Sequence, residues 1–114
     1  GGWFMVVDKG DNPLNFIDPS GTAMFVYSIQ RGVQLGLLKA KEYAPVAERG
    51  YKSLFPFIQV NERGLLDVIG ACDGVVIKKN FVEYVTVPKI LNAKEAVAGI
   101  LWASVIMETE QLKK

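Results

Sequence analysis

Apolar residues crowd every side of the helical period between Gly21 and Leu35, where Ala23, Met24, Phe25, Val26, Tyr27, Ile29 and Val33 leave only a few polar positions. This pattern predicts a helix enclosed by neighbours. A second segment is amphipathic: Tyr43, Val46, Ala47, Gly50, Tyr51, Leu54 and Ile58 follow the i, i+3, i+4, i+7 rule. Glu48 and Lys52 then fall one turn apart on the wet face, in the favourable order. Pro45 is tolerable in a first turn, and Pro56 ends the helix after Leu54. From Asn92, a good cap, to Gln111 a third helix carries apolar residues at 96, 97, 98, 100, 101, 103, 105, 106 and 107, again around the whole axis.

The links between these helices set their arrangement. Gly36, just past Leu35, is a natural left-handed stop, and the short loop Leu37 to Lys41 makes the first two helices antiparallel neighbours. An inner helix backed by an outer one follows. Beyond Pro56 the period changes, and Phe57 to Val60, the turn Asn61 to Gly64, and Leu65 to Gly70 predict a hairpin. Phe81 to Val87, with Val82, Tyr84 and Thr86 on one face and Pro88 at its end, predicts another strand. Trp3 to Val7 reads as an extended segment closed by the turn residues of DKGDNP. The fold class is all-α with minor β.

At 114 residues the chain makes one small domain, residues 1–114, with half of its residues hydrophobic. Two helices that are apolar all round exceed what so small a core can enclose, so a partner is expected to cover the excess. That partner is either a second copy of the chain or the rest of a larger helical assembly.

Thirteen Lys and Arg against twelve Asp and Glu give a net charge of +1, which lacks the basic surplus for binding a phosphate backbone, so no nucleic-acid partner is expected. The apolar run Ala96 to Met107 is broken by Gly99 and Ser104 and falls short of the roughly 20 residues that span a bilayer, so no membrane segment is expected. No secretory pattern opens the chain, and the single Cys72 fits a reducing compartment, so the expected location is cytoplasmic. No nucleotide loop is present, and no His or Cys cluster offers a transition-metal site; the loop Asp8, Asp11, Asn12 is a weak calcium candidate without the distal glutamate. The expected cofactor list is empty.

Asp18, Ser20 and Thr22 gather at the predicted start of the first helix, where free amides favour an anion or a polarised hydroxyl. They are either a capping cluster or a site that touches a sugar. Trp3 and Trp102 are possible sugar platforms, because an indole face complements the apolar face of a pyranose, with core packing as the plainer reading for both. Asp67, Asp73 and Glu83 read as solvated surface charges, and Cys72, beside Asp73 and with no histidine to activate it, as a small buried filler.

Four segments taken together, WFMVVDKGDNP (Trp3 to Pro13), NFIDPSGTAMFVYSIQRG (Asn15 to Gly32), LLDVIGACDG (Leu65 to Gly74) and ILNAKEAVAGILWASVIME (Ile90 to Glu108), resemble the C-terminal third of the unsaturated glycuronyl hydrolases. These form glycoside hydrolase family 105 and the related family 88. The resemblance implies inner and outer helix pairs of an (α/α)6 barrel, and a substrate of the rhamnogalacturonan type: an oligosaccharide ending in an unsaturated uronic acid. Such enzymes hydrate the 4,5 double bond with an aspartate as acid and base. It further implies that Asp18, Ser20, Thr22 and Trp3 contribute to the substrate pocket, and that the catalytic aspartate lies upstream, so no catalytic residue is assigned here.

The sequence departs from the family at two places. Asp18 and Pro19 stand where the family has Glu and Thr, and Asn92, Ala93, Lys94, Glu95, Ala96 replace its Asn-Asp-x-His-Gly. The chain has no histidine, so no imidazole takes part in proton transfer from within it. The rival expectation is a noncatalytic helical interaction module that self-associates.

Overall fold

The computed structural model describes residues 1–113 and is about half helical. Helix α1 spans Pro19–Gln34, α2 Ala40–Lys52, the short α3 Phe81–Val85, and α4 Lys94–Leu112. Strands β1 (Ile58–Val60) and β2 (Leu66–Val68) form one antiparallel pair, and β3 (Ala71–Cys72) and β4 (Lys89–Ile90) a second.

Close approach of small residues holds α1 and α4 together. A Cβ placed on Gly99 would stand 3.2 Å from the Cβ of Ala23 and 3.5 Å from the carbonyl oxygen of Ser20. At the far end Gln34 Nε2 donates to Glu110 Oε2 at 3.2 Å. The start of α1 therefore meets the start of α4 and the ends meet likewise, so the two helices run parallel. Helix α2 runs the other way: Gly50 lies against Val26, and Gly32 against Leu38 in the connecting loop. Ala23, Val26, Ala47, Leu54, Ala96 and Ala103 are fully enclosed at these contacts. The result is a pair of parallel inner helices backed by an antiparallel outer one, with the strands gathered beside the pair.

The turn after α1 forms as the sequence predicts, with Gly36 at φ 75°. So does the hairpin, whose register pairs Ile58 with Val68 and Val60 with Leu66. Glu48 and Lys52 make the expected exposed ion pair at 3.3 Å.

Several expectations are corrected. Helix α1 starts at Pro19, two residues before the predicted Gly21, and of the three residues of the capping cluster Asp18 is the one that caps it. Helix α2 starts at Ala40, which puts Pro45 beyond its first turn. Phe81 to Val85 is a helix and not a strand: Asn80 Oδ1 accepts from the Glu83 N–H at 3.0 Å, while the Glu83 carboxylate accepts from the Lys79 N–H at 3.0 Å. That reciprocal cap outweighs the alternation of Val82, Tyr84 and Thr86. Asn92 does not cap α4. At φ 55° its side chain accepts from the Val68 N–H at 2.7 Å and donates to Asp67 Oδ1 at 3.0 Å, fastening the hairpin to the approach of α4. Asp67 is thus a partnered, half-buried group rather than a solvated surface charge. Near the N-terminus, extended pairing is limited to the bridge between Phe4 and Ile17.

Trp102 is the largest departure, since core packing is expected and the residue is 60% exposed. Phe25, Leu101 and Val105 are also exposed on the outer faces of α1 and α4. Ala96, Ile100, Ala103, Ile106 and Met107 bury only one side of α4.

Candidate functional site

Because α1 and α4 are parallel, their first turns lie side by side, and a cavity of about 260 Å³ opens there. Asp18, Ser20, Gly21 and Glu95 give it polar walls, and Met24 and Cys72 apolar ones. Asp18 is fixed by the helix it caps: Oδ1 accepts from the Ser20 N–H at 3.1 Å and the Ser20 hydroxyl at 2.8 Å, and Oδ2 from the Gly21 N–H at 3.3 Å. Gly21 makes the fit possible, since a Cβ there would approach Asp18 Oδ2 to 3.0 Å. The same carboxylate is thus both a helix cap and a rigid acceptor.

Glu95 enters from the first turn of α4. Its Oε2 is buried and has no hydrogen-bond partner. A second cavity of about 350 Å³ shares Met24 and Glu95 with the first, and adds Tyr27, Ser28, Gly99 and Trp102. A larger hollow, about 660 Å³, continues between α1 and α4 along Tyr27, Arg31, Leu101, Trp102, Val105 and Ile106. It is mainly apolar and runs away from the polar cluster, as a helix-packing groove does.

Only two of the four residues assigned to a sugar site line the polar cavity, namely Asp18 and Ser20. Thr22 is fully enclosed, and its hydroxyl is taken by the Trp3 N–H at 2.9 Å. The Trp3 ring leans on Phe25, with centroids 5.1 Å apart, and covers Gly50. Thr22 is enclosed within the helix packing and Trp3 lies over α1 and α2, so neither lines the cavity.

Cys72 is buried, and its thiol pKa is pushed up first by that burial and then by the Asp18 charge, with Lys89 opposing. The acidic neighbour that matters is Asp18 and not the adjacent Asp73, which faces Lys94 at 3.9 Å. A thiol so placed is a poor nucleophile. In the Asp8–Asn12 loop, the Asn15 side chain ties the backbone together, donating to the Val6 and Lys9 carbonyls at 2.8 and 3.0 Å. Among the described residues no cluster of three or more His, Cys, Asp or Glu is arranged to hold a metal ion.

Glu95 is the lining residue that sequence reasoning missed. The signal was present: once α1 and α4 are taken as parallel inner helices, acidic residues at the start of each must share one end.

Parallel inner helices backed by an antiparallel outer one, with a polar cavity at the inner N-termini, have the arrangement of a fragment of a helical barrel. A solved glycoside hydrolase of family 105 from C. acetobutylicum ATCC 824 superimposes with a TM-score of 0.85 and 29% sequence identity, over 95% of this chain and 32% of that one. The sequence profile of Glycosyl Hydrolase Family 88 matches residues 1–111, and the chain belongs to that family. It spans about a third of the length of the solved relative.

Proposed function

We propose that residues 1–114 form one wall of the carbohydrate pocket of a hydrolase acting on oligosaccharides that end in an unsaturated uronic acid, of the rhamnogalacturonan type. The general acid comes from outside these residues. One observation carries the reading: in a chain of this family, a polar cavity sits where two inner helices begin, with Asp18 and Ser20 held rigidly on its rim. Every hydrogen bond to Asp18 satisfies a donor of its own helix, which suits a fixed acceptor and not a group that must give up and regain a proton. Its exposed apolar groove fits further barrel helices, for which a second copy substitutes when the chain is alone. The lone buried thiol supports a cytoplasmic setting.

Exposure of the chain to a 4,5-unsaturated uronyl disaccharide tests this. The ultraviolet absorbance of the conjugated double bond should stay constant while the amide resonances of Ser20 and Gly21 shift. Turnover that Asp18→Asn abolishes would place the acid at Asp18 and overturn the assignment; unmoved resonances would remove the pocket.

A further inference from the structure

Among the described residues, Asn92 is the one residue other than glycine with a positive φ, 55°. Asparagine enters that left-handed region at a cost, and keeps it where its surroundings over-determine it. They do so here. The Asn92 N–H donates to the Val68 carbonyl at 2.8 Å while Oδ1 accepts from the Val68 N–H at 2.7 Å, so one residue satisfies both peptide groups of Val68 as a neighbouring strand would. Nδ2 donates to Asp67 Oδ1 at 3.0 Å, an oxygen that also accepts from Asn61 Nδ2 at 3.3 Å.

The two segments that Asn92 joins lead into two walls of the polar cavity. Beyond Val68 the chain runs through β3 into Cys72, Gly74 and Val75, which line it; beyond Asn92 it passes the enclosed Ala93 into α4, whose Glu95 lines it as well. The walls touch, since a Cβ on Gly74 would stand 3.7 Å from Glu95 Oε1. The other ties between them are slight: a two-residue ladder pairing Ala71 with Ile90 and Cys72 with Lys89, and the exposed pair of Lys94 and Asp73 at 3.9 Å, which is worth little in water.

We propose that Asn92 is a positioning residue of the pocket: it fastens β2 to the lead into α4 and thereby holds Cys72, Gly74 and Val75 in place against Asp18 and Ser20 on α1. Its part in sugar binding rests on the carbohydrate reading, whereas its part in closing the wall does not. Without the side chain the wall opens locally, while the packing of α1, α2 and α4 around Ala23, Val26, Ala47 and Gly99 stays. Cys72 reports the difference. Its thiol is buried in that wall, 3.6 Å from the Val87 carbonyl, and is shielded from a soluble disulfide while the wall is closed.

The test follows modification of Cys72 in the whole native chain by an aromatic disulfide, which forms a mixed disulfide and releases a coloured thiolate. Asn92→Gly keeps the backbone bond to Val68 and fits the positive φ without strain, but removes both side-chain bonds. It should speed modification about tenfold or more with helical circular dichroism unchanged, and weaken binding of a 4,5-unsaturated uronyl disaccharide, followed by amide shifts, about fivefold or more. Asn92→Asp keeps the acceptor for Val68 but sets a carboxylate against Asp67. Its rate should fall between those of the wild type and Asn92→Gly, and it decides the matter should the glycine variant not fold. Gly50→Ala, which disturbs the contact of α1 with α2, controls for global stability and should leave the Cys72 rate within about twofold of wild type. A rate that follows melting temperature across all the variants would mean a merely structural asparagine, and unchanged modification in the Asn92 variants would mean that the ladder alone closes the wall; either overturns the proposal. Faster modification with unchanged sugar affinity overturns the positioning role in binding. If the wild-type chain binds no sugar, the carbohydrate reading fails and takes that role with it, while the thiol rate still decides whether Asn92 closes the wall.

Discussion

The hydroxyl of Thr22 accepts the backbone N–H of Trp3 at 2.9 Å, joining residues 19 positions apart. The Trp3 carbonyl in turn accepts from the Asp18 N–H at 2.9 Å. The N-terminal segment is therefore clamped at Trp3, through its amide to Thr22 and through its carbonyl to Asp18, and Met5 is brought to the cavity rim. Thr22→Val keeps the side-chain shape and removes the acceptor, leaving a partly buried N–H without a partner. The expected loss is about 1–3 kcal/mol, read from urea unfolding. A loss too small to measure would mean that water reaches the Trp3 amide and the clamp is decorative.

Two helical glycines should respond to alanine with opposite signs. At Gly50 a Cβ would stand 2.8 Å from Val26 Cγ2 and 2.9 Å from Trp3 Cζ3, against an enclosed valine and a rigid ring. Overpacking of about 1–3 kcal/mol exceeds the gain of about 1 kcal/mol in helix propensity, so Gly50→Ala should lower the melting temperature. At Gly32 the nearest atom is Leu38 Cδ1 at 2.8 Å, the free end of a flexible, half-buried side chain that can turn away. There the propensity gain survives, and Gly32→Ala should be neutral or stabilising. Equal melting temperatures for the two variants would refute the distinction.

Local signals, where strong, carried the sequence reading far. The three long helices, the turn at Gly36 and the hairpin over residues 57–70 all follow from periodicity and turn chemistry. Phe81 to Val85 misled because five residues cannot separate the two periods, and its deciding feature, the Asn80 and Glu83 cap, consists of two polar residues outside the hydrophobic pattern. Asn92 misled for a different reason: an asparagine before an apolar helix is a reasonable cap until the Val68 amide, 24 residues away, claims its oxygen. No local rule sees that partner. Half of the candidate site was legible for the same reason. Asp18 and Ser20 announce themselves by helix-start chemistry, whereas Glu95 matters only because α1 and α4 are parallel, and the enclosure of Thr22 depends on where Trp3 folds back.

Tyr51 on α2 donates its phenolic hydrogen to Glu108 Oε1 on α4 at 2.6 Å. Burial first, and the Glu108 carboxylate next, push the Tyr51 pKa above its ordinary value, with a smaller opposing effect from Ser104. A pKa higher in the fold than in the unfolded chain means the folded state holds the proton more tightly. The stabilisation is complete below the unfolded value of about 10 and is lost as pH rises through the folded value. From about pH 9 to about pH 11 the wild-type protein should lose more thermal stability than Tyr51→Phe, which has no proton to release. Parallel pH curves for the two proteins would show that the contact does not couple to folding.

The outer face of α4 exposes Leu101, Trp102 and Val105 along a groove of about 660 Å³. Tyr27 meets Trp102 edge to face with centroids 5.0 Å apart, which holds the indole in place without covering it. Exposed apolar side chains of this size gathered on one helix face favour association, and a second copy is the expected partner when the chain is alone. In sedimentation velocity the isolated chain should therefore show a mass that rises with concentration. Leu101→Glu combined with Val105→Lys replaces two exposed apolar groups and sets opposite charges one turn apart in the favourable order. The double variant should sediment as a monomer while keeping its helical circular dichroism, because surface substitutions of this kind usually alter stability by only about 0.5 kcal/mol. A wild-type chain that stays monomeric at every concentration would show that this face needs no covering, and the groove would lose its role as a seat for neighbouring helices.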